Sequence, residues 1–180
     1  MAAHPNDILT FWTEAGPKQW FAKNPRFDEA IRLKFEAVHH AAARGEYDGW
    51  AASPEGALAL LIVLDQFPRN LYRDSAHSWA TDPKARAIAR AATDAGWHRQ
   101  VAPELASFML LPFEHSEDLA DQDRGLELAR EMGDPDLLKW HQIHRDIIAR
   151  FGRFPHRNAA LGRVTTPEEQ AFLDEGGFAG

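Results

Sequence analysis

The sequence contains no cysteine, which excludes a disulfide framework, a thiolate nucleophile and a Cys-ligated zinc site. Long apolar runs are missing too: the longest, Ala57 to Leu64, falls far short of the roughly 18 to 20 residues that cross a bilayer. No basic stretch leads into an apolar one at the N-terminal end, so the expectation is a cytoplasmic protein with no membrane partner. Positive charge is in deficit. Twenty Lys and Arg against 27 Asp and Glu leave a formal net charge of -7, so the molecule as a whole repels nucleic acid, and no nucleic-acid partner is expected. HExxH, GxSxG and phosphate-cradling glycine loops are absent. No cofactor and no metal ligand set is expected. A mixed His and carboxylate metal site assembled across helices is the one alternative left open.

What is present is the material of a single compact domain over residues 1–180: 44% hydrophobic, 26% charged and 11% aromatic residues in 180. Strand alternation is nowhere sustained. Helical periodicity is, as in Phe27, Ile31, Phe35, Val38 and Ala42, which lie on one face. Five times a capping side chain stands before a proline, in Asn24-Pro25, Ser53-Pro54, Asp82-Pro83, Asp134-Pro135 and Thr166-Pro167. Each reads as N-cap then first helical residue: the cap oxygen takes an orphan N–H, and proline needs no N–H there. Glycines 45, 96, 133 and 152 stand at helix stops, and Pro68 forbids smooth continuation of the helix before it. The fold expected is all-α, one domain of about eight helices. Even spacing of the first three capped starts, 29 residues apart, suggests helix hairpins stacked into a tetratricopeptide-like superhelix, with a closed irregular bundle as the alternative.

Three helical faces carry polar residues where the period demands core. In the central helix the stripe Leu58, Leu61 arrives at Asp65, followed by Arg69, Asn70 and Arg73. A buried carboxylate without a partner costs several kcal/mol, so Asp65 is expected to pair with an Arg. In a helix expected over 116–132, His115 and Gln122 share a stripe with Leu119 and Leu126, among five acids at Glu114, Glu117, Asp118, Asp121 and Asp123. In the helix after Asp134-Pro135, His144 points inward on the stripe of Leu137, Trp140 and Ile147, with His141 one position off. The next turn holds Arg153, His156, Arg157 and Asn158, and residues 145 to 163 carry five Arg and one Asp. The plainest account is structural: the acidic segment docks on the basic one.

The strings LDQFPRNLYR (Leu64 to Arg73), LPFEHSEDLADQ (Leu111 to Gln122) and HRDIIARFGRFPHRNAALGR (His144 to Arg163), with Phe11-Trp12 and the WFAKNPRFD stretch from Trp20, resemble the signature blocks of the bacterial domain of unknown function 924 family. The resemblance spans nearly the whole chain. It implies a helical fold similar to tetratricopeptide-type superhelices and implies no activity.

General acid–base chemistry needs a positioned imidazole, a carboxylate to orient it and donors to hold a substrate. His115 and His144 are the candidate proton exchangers, with Glu117 as the third catalytic candidate. Asp65, Arg69, Asn70, Gln122, Arg153, His156, Arg157 and Asn158 are the candidate ligand-binding residues. Together they are expected to line a pocket for a small anionic molecule, a carboxylate or a phosphate, which requires Asp65, His115, His144 and Arg157 to be neighbours in space. The alternative is a non-catalytic helical module that binds a peptide or protein partner, drawing on its tryptophans.

Overall fold

A computed structural model describes residues 3–178. Among the described residues there is no strand, and the architecture is all-helical as the periodicity requires. The α-helices are α1 (Pro5–Ala15), α2 (Pro17–Trp20), α3 (Pro25–Ala43), α4 (Pro54–Leu61), α5 (Phe67–Leu71), α6 (Asp82–Asp94), α7 (Leu111–Glu114), α8 (Leu119–Met132), α9 (Pro135–Phe151) and α10 (Pro167–Asp174). The chain divides into two compact units, one of Met1–Arg73 and His77–Pro112, the other of Asp74–Ala76 and Phe113–Gly180. They are called here the first and second unit.

Four of the five expected caps form. Asn24 accepts from the N–H groups of Arg26 and Phe27, Ser53 from Gly56, Asp134 from Asp136 and Leu137, and Thr166 from Glu169 in a capping box. The fifth does not. Asp82 is itself the first residue of α6, which starts after Thr81 without a side-chain cap, because Arg69 takes the Asp82 carboxylate through two bonds of 3.0 and 2.9 Å. Two further expectations are corrected. The helical period over 103–111 leads to an expected α-helix there, but Pro103–Met109 form a 3-10 stretch, and the helix expected over 116–132 starts at Leu119, capped by Asp118.

Pro68 does forbid smooth continuation, but the helix is widened rather than ended there. The residues before it, Ile62–Gln66, widen into a π turn in which the Phe67 N–H reaches the Ile62 carbonyl, and α5 continues to Leu71. In an α-helix the Leu64 carbonyl would accept from residue 68, which as proline has no N–H. The Thr81 hydroxyl donates to it instead, and the Val63 carbonyl meets the His39 ring nitrogen at 3.0 Å. Side chains thus satisfy the carbonyls that the π turn releases, which is why the kinked helix survives burial.

In the first unit α4 is buried on every side, from Gly56 to Leu61, and packs against α1 and α6. Beside it Trp12, Trp20, Phe67 and Phe108 interlock edge-on, with ring centroids 5.0 to 5.7 Å apart for Trp12 on Phe67 and on Phe108 and for Trp20 on Phe108. In the second unit α8 packs on α9. Gly125 makes the approach close: a Cβ there would lie 2.9 Å from the His141 ring and from the Phe113 Cβ. Ile147, Ile148 and Phe154 are the buried apolar cluster at the other end of α9.

Candidate functional site

The sequence-predicted site residues fall into both units: Asp65, Arg69 and Asn70 in the first, and His115, Glu117, Gln122, His144, Arg153, His156, Arg157 and Asn158 in the second.

In the first unit the block Leu64–Arg73 is a set of clasps. Asp65, buried, lies 3.3 Å from Arg69 and accepts from the Gln66 amide at 2.6 Å. Arg69 also donates to the Asp65 carbonyl and holds Asp82 of α6. The expected Asp65–Arg pairing is thus with Arg69. Asn70 donates to Asp28 at 2.8 Å, and Arg73 forks onto the same carboxylate at 2.8 and 2.9 Å. Asp28 sits in the first turn of α3, so α5 is tied to the start of that helix. Residues three and four apart on a helix share a face, and this spacing lets one face clasp two helices.

The second unit arranges its polar residues differently. At its centre Glu114 ends α7, buried between two imidazoles of α9: one carboxylate oxygen is 3.5 Å from His141 Nε2 and the other 3.5 Å from His144 Nδ1. The two rings stand three residues apart on α9 and share a face, so both reach the same carboxylate. Burial drives both imidazoles toward the neutral form, His141 to about 4 and His144 to about 3, and the positive charges of His115 on both rings and of Arg157 on His144 act in the same direction. His144 Nδ1 also lies 2.8 Å from the Trp140 carbonyl, which assigns it a proton to donate there.

Around this trio Gln122, fully buried, donates from its amide nitrogen to the carbonyls of Glu114 at 2.6 Å and Ser116 at 2.7 Å, closing the end of α7. Among the described residues its amide oxygen has no hydrogen-bond partner, nor do the Asn158 amide oxygen and His141 Nδ1. Arg157 donates to the His115 carbonyl at 3.0 Å and lies 4.4 Å over the Phe154 ring.

Glu117 does not orient a histidine. It accepts from Arg163 at 2.8 and 2.7 Å and from the Phe154 N–H at 2.9 Å; although burial pushes its carboxyl up, these bonds hold it on balance below the usual range. Arg153 is likewise committed, forking onto Glu169 at 2.6 and 2.8 Å, and Asn158 joins the same carboxylate at 3.1 Å. With the pair Arg145–Asp123 at 2.8 Å, these contacts make much of the acidic-to-basic docking expected from the charge pattern structural. Glu114 is the participant that the sequence leaves as one of five neighbouring acids. The signal for it was its place three residues after Leu111, at the end of an apolar run.

Two concavities lie away from these residues. One, about 710 Å³, runs along the outer faces of α8 and α9 and includes Asp123, Arg130 and Arg145. The other, about 300 Å³, is apolar and sits in the first unit between Ala57, Ile88 and Trp97, with the Lys84–Asp48 pair at its edge. No residue of the predicted site lines either. Among the described residues no group of three or more His, Asp or Glu is arranged to hold a metal ion, and no helix is long and apolar enough to cross a membrane.

Residues 8–177 match a family described as bacterial protein of unknown function, DUF924. The chain belongs to this family. The solved structure of a protein of unknown function from Agrobacterium tumefaciens is 47% identical, covers 95% of this chain and 97% of its own, and superposes with a TM-score of 0.92. No curated protein matches the chain. The family is therefore established and the all-helical fold has a solved counterpart, while neither comparison names a reaction.

Proposed function

We propose that this DUF924 protein binds a small anionic molecule, a carboxylate or a phosphate, at the histidine cluster of the second unit, and that His144 exchanges a proton there under the control of Glu114. The observation that carries the reading is the Glu114 carboxylate held 3.5 Å from each of two buried imidazoles. A buried carboxylate between neutral rings is costly as mere filling, since apolar residues of the same volume are often neutral or better for stability. The same three groups form a proton-sharing set that an approaching anion biases, because it favours the imidazolium over the imidazole. The unpartnered amide oxygens of Gln122 and Asn158 supply acceptors for a ligand hydroxyl or for a water that enters with it. Asp65, Arg69 and Asn70 belong to the clasps of the first unit in this reading and do not bind ligand.

The test is a thermal-shift series with acetate, succinate, phosphate and phenyl phosphate at pH 5.5 and 8.0. A bound anion in excess raises the unfolding midpoint by several degrees through mass action, more at pH 5.5 because binding takes up a proton. The variants His144→Gln and Glu114→Gln abolish the shift while keeping the helical circular dichroism. No shift with any anion, or shifts of equal size in His144→Gln, overturns the reading in favour of the peptide-binding or protein-binding alternative, for which exposed Phe21 and Leu33 of the first unit are the available apolar contacts.

A further inference from the structure

Past α10 the chain turns back at Gly176, whose φ of 82° is left-handed, and the Gly177 N–H donates to the Phe172 carbonyl at 2.9 Å. A Cβ on Gly177 would lie 2.5 Å from that carbonyl oxygen and 2.6 Å from the Phe172 ring, so only glycine passes. This path delivers the Phe178 ring to the histidine site. Its centroid lies 4.4 Å from the His144 ring, 5.3 Å from His156 and 6.4 Å from Trp140, with interplanar angles of 64°, 80° and 58°. Phe154 faces His144 at 5.5 Å and 72°. Phe178 thus lies nearer the proposed proton exchanger than Phe154 or Trp140 does.

We infer that the Phe178 side chain occupies an aryl subsite beside His144, and that the ligand of the site is an aromatic carboxylate whose ring takes the place of Phe178. This names the ligand class of the site proposed above and rests on that reading. The cage of His144, His156 and Trp140 contacts its occupant edge-on or at a steep tilt, and the occupant packs on the buried cluster that includes Phe154. Such contacts use the negative face and positive edge of aromatic rings, which a saturated group of equal size lacks. Positive charge borders the cage on two sides, from Arg157 over Phe154 at 4.4 Å and from exposed Lys139 over Trp140 at 5.9 Å, and it suits a carboxylate carried on the ring. The occupant already present is tethered through two consecutive glycines, the residues that lose most backbone freedom when ordered. Its displacement by a free aryl acid recovers that freedom, so the tail acts as an intramolecular competitor.

The experiment is calorimetric titration of the full chain, wild type, Phe178→Ala and Gly177→Ala, with phenylacetate, cyclohexylacetate and propionate, alongside the NMR resonance of the His144 Cε1 proton. Phe178→Ala removes the competitor; Gly177→Ala keeps the ring and blocks its path. Both are expected to tighten phenylacetate binding by about tenfold or more, since apparent affinity scales with the fraction of open sites, and to leave propionate unchanged. The His144 resonance shifts in both variants as the ring current is lost, and shifts again when phenylacetate fills the cage. Folded variants that bind phenylacetate no better than wild type overturn the inference, and equal gains for all three acids overturn its aryl assignment. If propionate or phosphate still binds in a His144-dependent way, only the subsite fails. If no acid binds any form, the ligand reading above fails with it. Should Gly177→Ala not fold, the Phe178→Ala titration decides alone.

Discussion

The Leu64–Arg73 block of the first unit and the Glu114–Asn158 region of the second are both rich in charged and amide side chains, yet they satisfy them in opposite ways. In the first, Asp65 holds Gln66 at 2.6 Å and Arg69 at 3.3 Å, and Arg69, Asn70 and Arg73 reach Asp82 and Asp28 on neighbouring helices at 2.8 to 3.0 Å. In the second, the outer charges pair as tightly, Arg163 with Glu117 and Arg153 with Glu169, but the centre keeps a carboxylate at 3.5 Å from two rings and three polar atoms with nothing to bond. A completed network holds a fold. The incomplete one is where the proposed ligand site lies.

The sharpest way to break this contrast is Asp65→Ala. It leaves the buried Gln66 amide without its acceptor and takes one of two carboxylates from Arg69, which keeps Asp82, and an unmet buried donor together with a lost charge-assisted bond costs about 2–3 kcal/mol. Urea unfolding should show that loss, whereas Glu114→Gln, in the second unit, should cost far less. A comparable loss in both would make the second network structural too. Next in size, Gly125→Ala pushes a methyl into the His141 ring and should cost about 1–3 kcal/mol by overpacking, with a calorimetric midpoint several degrees lower.

The pH dependence sharpens the contrast further. His141 and His144 have folded pKa values of about 4 and about 3, below the 6.5 of the unfolded chain. Above pH 6.5 both states are neutral at these rings and they contribute nothing. As pH falls below 6.5 the unfolded chain takes up protons that the folded one refuses, so stability falls until the folded pKa is reached. The slope is up to about 1.4 kcal/mol per pH unit for each ring. His39, lowered mainly by burial, adds a loss of the same sign in the first unit. Glu169, held down to about 2 chiefly by Arg153, loses its contribution only as pH falls from its usual 4.5 toward 2. Denaturation series at pH 7.0, 6.0 and 5.0 should therefore show the decline, and His141→Gln with His144→Gln should flatten most of it. An unchanged slope in that double variant would mean the rings are hydrated and ordinary.

The smallest effect expected is at a cap. Asp134→Ala frees the N–H groups of Asp136 and Leu137 at the start of α9 and should cost about 1 kcal/mol, read as a small drop in the urea midpoint. It tests whether α9 holds its two histidines by packing on α8 rather than by its own end.

What the sequence determined by itself was local. Four of five Asx, Ser or Thr caps before proline form where they are written, because a cap is a contact between residues two or three apart. The fold class and the family followed from periodicity and from the three blocks, and His144 on its apolar stripe is indeed buried. Tertiary structure decided everything that depended on a distant partner. Asp82 left its cap because Arg69 was waiting. Pro68 was absorbed because Thr81 could reach the Leu64 carbonyl. Glu117 went to Arg163, 46 residues away, while Glu114, one acid among five in the sequence, became the one between the imidazoles. Charge and burial are properties of neighbours in space, and a one-dimensional pattern records which side chains want partners without recording which partners they find.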